Sequence, residues 1–184
     1  MGASAGGVQA LQMLASGLPA DFPAAILAVL HLPPHLPSLL ASVLKHSGPL
    51  ITLDACDGIP IRAGHLYLGV PDRHLMVDGE VMRLTHGPKE HRARPAIDTL
   101  FRSAAYTQGK RVIGVVLTGQ LDDGTSGLWA IKDRGGVAIA QSPRDASFPS
   151  MPMSALQHVD LDHVVDLATL PELLTRLAHA SAAT

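Results

Sequence analysis

Apolar and polar positions along the chain follow two periods. Apolar runs of strand length occupy residues 25–30, 65–70, 112–117 and 137–140. Between them lie stretches in which apolar residues recur at helical spacing: 8–16, 38–45, 96–108, 127–134 and 171–179. Strands that are apolar throughout are buried on both faces, and strands alternating with helices are joined as parallel neighbours. The pattern therefore predicts an α/β fold: a doubly wound, mainly parallel sheet flanked by helices. Pro37, Pro95 and Pro171 stand where a first helical turn accepts proline, and Gly17, Gly48, Gly109 and Gly135 stand just past expected helix ends. One segment breaks the alternation. Leu75 to Val77 and Glu80 to Leu84 read as two short strands joined by an Asp78-Gly79 turn, an antiparallel hairpin expected at a sheet edge. Residues 85–95 read as a connecting loop, too short to divide domains.

With 184 residues, the chain is expected to form a single domain over 1–184, long enough to enclose a core. Aromatic residues are only 3% of the chain against 47% hydrophobic overall, so Leu, Val, Ile and Ala must fill that core. Fourteen basic and 16 acidic residues give a net charge of −2 with no long run of either sign, which advertises neither a nucleic-acid surface nor an anionic membrane surface. No apolar run approaches the ~20 residues of a membrane-spanning helix. The single cysteine, Cys56, cannot form an internal disulfide, and no secretory signal opens the chain, so a cytoplasmic setting is expected.

Functional groups in an open parallel sheet collect beyond the carboxyl ends of its strands. Three candidates fall there. Ser4, in Gly2-Ala3-Ser4-Ala5-Gly6-Gly7, has small neighbours that allow a tight turn into the helix near Val8. Such a turn exposes the hydroxyl and supplies N–H groups from Ala5 and Gly6, with a further one near Gln120, to hold an oxyanion. Taken alone, the same glycines suit a phosphate-binding or purely structural turn. His31 follows the apolar run 25–30 and precedes Leu32-Pro33-Pro34; it is placed to be a general base, or a strand-end histidine satisfied by a hydrogen bond. The prolines before His35 preclude the helical face that an i, i+4 metal pair uses, so no metal and no cofactor is expected. Asp123, in the loop from Thr118 to Gly127, can orient an imidazole or cap a helix. Asp122 has the same options and reads as the surface member of the pair.

These motifs resemble those of the catalytic domain of the CheB chemotaxis methylesterases over essentially the whole chain. The family's Gly-x-Ser-x-Gly-Gly start is similar to residues 2–7, its His-hydrophobic-Pro segment to His31-Leu32-Pro33, and its Leu-Thr-Gly…Asp-Gly loop to residues 117–124. Arg94-Pro95-Ala96-Ile97-Asp98 with Leu100-Phe101, the Ala140-Gln141 pair and Met151-Pro152 match as well. The resemblance implies a serine hydrolase with a Ser4, His31 and Asp123 triad, and active-site surroundings that include Ala5, Gly6, Gln120 and Met151. It also implies the substrate: glutamate γ-methyl esters on chemoreceptor proteins, with methanol as product and receptor glutamine deamidation in some members. The family's Leu-Thr-Gly-Met-Gly loop has methionine and glycine where this chain has Gln120 and Leu121, which alters the pocket. The resemblance is to stand-alone members of the group, so a form without the family's receiver domain is expected.

Two rival readings remain at this level. An ordinary α/β-hydrolase would use Ser4 with Asp145 and His158, but that fold places several strands before its nucleophile. A docking module would bind a signalling protein without turnover, and would have no physical need for Ser4, His31 and Asp123 together. Because only Met1, Gly2 and Ala3 precede Ser4, a strand feeding its turn is expected to begin upstream, in a few β-branched and apolar residues before Met1.

Overall fold

The computed structural model describes residues 1–31 and 39–182. Pro33, Pro34, His35, Pro37 and the expected helix start at Ser38 lie outside the described residues. Within them the order is β1 Gly2–Ala3, α1 Gly7–Gly17, β2 Ile26–Leu30, α2 Leu40–Leu44, β3 Ile51–Asp54, β4 His65–Leu68, β5 His74–Asp78, β6 Val81–Thr85, α3 Ile97–Gln108, β7 Ile113–Val116, α4 Thr125–Asp133, β8 Val137–Gln141, α5 Ser150–His158, β9 His163–Val165 and α6 Leu170–Ala182.

Seven strands form one sheet in the order β3-β4-β2-β1-β7-β8-β9, and every pairing in it is parallel. The side chains sort by the period of two that a strand imposes. Ile26, Ala28 and Leu30 of β2, Val115 of β7 and Ile139 of β8 join one apolar cluster with Leu11 and Leu14 of α1 and Leu173 and Leu174 of α6. The intervening Val29, Val116, Ala138 and Ala140 join a second cluster with Leu100 and Phe101 of α3, Leu128 and Ile131 of α4 and Met151 of α5. Both faces of the central strands are therefore covered, which is why their sequences read as continuous apolar runs rather than alternating ones.

The hairpin departs from its expected place. β5 and β6 pair antiparallel in a separate two-stranded sheet and are not hydrogen-bonded to the main one. The hairpin packs instead on α3, where Val77 N donates to Ser103 Oγ at 3.0 Å and Leu75, Val77 and Met82 enter the second cluster. Its turn is also shifted by one residue: Asp78 pairs with Val81, so Gly79 and Glu80 make the bend. Gly79 has a φ of 59°, the left-handed conformation that a two-residue hairpin turn demands at its first position.

The topology places the site. Strand order reverses at β1, whose neighbours are β2 on one side and β7 on the other. The crevice beyond the carboxyl ends of strands at such a reversal is where open α/β sheets bind ligands. Only two residues long, β1 is still paired on both sides: His31 N donates to Ala3 O, and Leu117 N to Gly2 O.

Candidate active site

Ser4, His31 and the loop carrying Asp123 leave β1, β2 and β7, three adjacent strands, at the same sheet edge. Ser4 stands in the turn between β1 and α1. Gly6 has a φ of 77°, and this left-handed residue lets the chain reverse directly into the helix. Ser4 N donates to Thr118 O at 3.0 Å, which ties the turn to the loop after β7.

The three side chains form one hydrogen-bonded row. Ser4 Oγ is 3.2 Å from His31 Nδ1, and His31 Nε2 is 2.7 Å from Asp123 Oδ2. With Asp123 ionised, His31 holds its proton on Nε2 and offers the Nδ1 lone pair to the serine hydroxyl. That assignment of the two ring nitrogens was not readable in sequence. The imidazole side chain is 22% exposed, whereas the Asp123 side chain is 1% exposed. The imidazole is therefore open to solvent on one side while the carboxylate stays buried.

Asp123 is held by more than His31. Its Oδ2 also accepts from Ile97 N at 2.7 Å, and its Oδ1 from Asp98 N at 2.8 Å, so it caps the N-terminus of α3. Asp98, in the first turn of α3, answers by accepting from Gly124 N and Gly127 N at the start of α4. The start of α3 thus rests on a carboxylate from the loop entering α4, and the start of α4 on a carboxylate of α3. Burial opposes ionisation of Asp123, but the hydrogen bonds from His31, Ile97 and Asp98 outweigh it and keep its pKa below the ordinary carboxylate value. For Asp98, burial and the charge of Asp123 win over the Gly127 N–H and His91, and its pKa is raised. Asp122, the other carboxylate of the sequence pair, has a side chain 65% exposed.

The loop after β7 is fixed against the serine. Buried Thr118 donates through Oγ1 to Ala5 O at 3.0 Å and accepts from Phe148 N at 2.9 Å. Thr118 N donates to Gln141 Oε1, and Gln141 Nε2 to Asp145 Oδ2, which also receives Leu167 N. Asp145, the acid of the rival hydrolase reading, is spent on this support. Gly119 N donates to Phe148 O, and Met151 N to Gly119 O. A Cβ on Gly119 would lie 2.2 Å from Met151 Sδ and 2.9 Å from Ser4 Cβ, so only glycine lets the loop pass this close. The N–H groups of Ala5, next after the serine, and of Gln120, next after Gly119, have no acceptor among the described residues. Leu121 is exposed, with a φ of 65° that its branched side chain tolerates poorly.

The structure joins the expected Ser4, His31 and Asp123 in one row, with Ala5 and Gly6 in the turn after the serine and Met151 against Gly119, which precedes Gln120; sequence reasoning missed a neighbour. His91 Nε2 lies 2.7 Å from Asp98 Oδ2, and ligand atoms of His91, Asp98 and Asp123 fall within 4.8 Å of one another. These atoms could surround a cation, yet the carboxylate oxygens already accept backbone N–H groups or imidazoles. No spacing motif joins His91 to Asp98 and Asp123, so no sequence signal marked the cluster.

The sequence model of a family described as CheB methylesterase matches residues 1–174. A protein of Anaeromyxobacter dehalogenans (strain 2CP-C), named protein-glutamate methylesterase/protein-glutamine glutaminase 2, is 37% identical over 177 residues, covering 96% of this chain and 52% of that protein. A putative protein-glutamate methylesterase/protein-glutamine glutaminase of Leptospira interrogans is 32% identical over 178 residues, covering 96% of this chain and 92% of that protein. The chain thus spans about half the length of several curated relatives and nearly all of others. The crystal structure of the Thermotoga maritima CheB methylesterase catalytic domain superposes with a TM-score of 0.92 at 33% identity, over 96% of this chain and 95% of that one. A match of this extent in sequence and in fold leaves one assignment: the chain belongs to the CheB methylesterase family.

Proposed function

We propose that the chain is a protein-glutamate methylesterase, a serine hydrolase that removes methyl esters from glutamate side chains of chemoreceptor-like signalling proteins in the cytoplasm. The observation that carries this reading is the unbroken row Ser4 Oγ, His31, Asp123 at the topological switch point. The names of the relatives supply the substrate class. Among the described residues, no helix is long and apolar enough to cross a membrane.

In this mechanism Ser4 Oγ attacks the ester carbonyl as His31 Nδ1 takes its proton, and Asp123 stabilises the imidazolium through Nε2–H. The N–H groups of Ala5, Gly6 and Gln120 receive the tetrahedral oxyanion, each donor worth roughly 3–4 kcal/mol in other hydrolases. The intermediate collapses, the imidazolium protonates the departing methoxide, and methanol leaves a γ-glutamyl ester on Ser4. Water, deprotonated by His31, then attacks that ester and regenerates the hydroxyl with a free glutamate. The same steps with ammonia as the leaving group would deamidate glutamine.

The test is to incubate the protein with a methylated receptor and measure methanol. Wild-type protein should release it and Ser4→Ala should not. Binding without release would favour the docking module, and turnover of small acyl esters alone would favour an unrelated esterase.

A further inference from the structure

A second imidazole stands beside the triad acid. His91 lies in the loop between β6 and α3, with Nε2 2.7 Å from Asp98 Oδ2 and 3.7 Å from Asp123 Oδ1. Its Nδ1 is 3.5 Å from Asp122 Oδ1. The loop is braced on both sides of the ring: Glu90 and Ala93 exchange two backbone hydrogen bonds, and the Glu90 carboxylate is paired with Arg102 of α3. His91 itself is left-handed, with a φ of 50°, a conformation that needs such bracing to persist.

Asp98 and Asp123 are both buried, and two carboxylates so close repel strongly away from water. The helix N-termini they cap supply only partial positive charge. His31 must be neutral to accept the serine proton, so it adds none in the resting state. Among the described residues, His91 is the group within reach of both carboxylates that can supply a full charge.

We propose that His91 is a positioning residue for ester hydrolysis: its imidazolium sits between Asp98 and Asp123 and lets both remain ionised, so that Asp123 stays aimed at His31. This inference rests on reading Ser4, His31 and Asp123 as the esterase site. The titratable groups facing the ring are Asp98 of α3, Asp122 and Asp123 of the loop before α4, and His31 across Asp123. Burial works against protonation of His91, but the charges of Asp123, Asp98 and Asp122 and the hydrogen bond to Asp98 outweigh it, and its pKa is raised. The cation therefore persists to higher pH than on an unperturbed histidine and is lost as pH rises through that raised value. Activity should decline on the alkaline side as His91 becomes neutral.

The experiment is a double-mutant cycle on the full chain with methylated receptor, reading kcat, KM and the pH profile. His91→Asn tolerates the left-handed backbone and removes the charge; kcat should fall about tenfold, with KM changed less than about twofold. Asp98→Asn keeps an oxygen for Gly124 and Gly127 while deleting one buried negative charge. The double variant should recover most of the lost kcat and lack the alkaline decline, whereas a purely structural His91 would make it slower still. In parallel, NMR titration of His91 should give a midpoint above that of free imidazole, lowered in Asp98→Asn. Unchanged kcat in His91→Asn, additive losses in the double variant, or a His91 midpoint at or below free imidazole would each overturn the proposal. An inert wild-type protein would overturn the esterase reading and the positioning role together. An active wild type with an indifferent His91→Asn would overturn the positioning role alone. Should Asp98→Asn fail to fold, the wild-type titration and His91→Asn decide.

Discussion

Asp123→Asn is the most informative single change, because the structure specifies what each oxygen does. Oδ2 accepts both Ile97 N and His31 Nε2, and Oδ1 accepts Asp98 N. An asparagine has one oxygen for the two positions. If the oxygen stays at the Oδ2 place, the amide N–H₂ faces Asp98 N–H, and one buried donor is unpaired. If it turns to the Oδ1 place, the N–H₂ faces Ile97 N–H and donates to His31 Nε2, which forces the imidazole proton onto Nδ1, against the serine. Either orientation strands a buried backbone donor, at about 1–3 kcal/mol of stability. The first keeps the tautomer but removes the charge that stabilises the imidazolium; the second removes the base outright. The corresponding substitution in another serine hydrolase lowers kcat by roughly 10⁴-fold, so a loss between about 10²- and 10⁴-fold is expected here, with KM little changed. Stability adds a pH signature. The folded pKa of Asp123 is depressed, so its ionisation adds stability that is fully present above the unfolded value near ~3.9 and is lost as pH falls through the lower folded value. The variant should therefore show a shallower acid decline. Methanol release from methylated receptor and urea unfolding at several pH values measure both effects. A folded Asp123→Asn protein with kcat within about threefold of wild type would refute the assignment of the acid.

Ser4→Ala and His31→Ala should each lower ester hydrolysis by several orders of magnitude without unfolding the protein, and the double variant should be no slower than the worse single, because both act in one step; additive losses in kcat would contradict that. Gly119→Ala should cost about 1–3 kcal/mol from overpacking against Met151 and also lower kcat by displacing Ser4, read by thermal melting and turnover. Leu121→Gly should stabilise the fold by roughly 0.5–1 kcal/mol, since it relieves a left-handed residue whose exposed side chain contributes little burial; a lower melting temperature would argue against strain at that position. A metal chelator should leave turnover unchanged, and a divalent ion that restored chelated enzyme would point to the cluster around His91 instead of the serine.

Much of this protein was decided by local spacing. The apolar runs became β2, β4, β7 and β8 within one or two residues of their expected ends, because a strand buried on both faces must be apolar along its length. The helices around them followed for the same reason. Short elements were not legible. β3 is largely exposed at a sheet edge, β9 is three residues long, and α5 carries Pro152 within its first turn, so none displays a period. The hairpin was recognisable, but its turn register and its docking on α3 were not, since both depend on what it packs against.

The same division runs through the site. Ser4, His31 and Asp123 were each marked by standing at the end of a strand, a local fact. That they meet depends on β1 lying between β2 and β7, which brings His31 against a residue 92 positions away. Strand order also decided which ring nitrogen faces the serine, why Asp123 caps α3 while Asp98 caps α4, and why His91 stands beside them. Sequence pattern governs what each segment becomes, because the period of burial is written along the chain. Only the packed sheet governs which distant side chains share a crevice, because that depends on the order in which the strands pair.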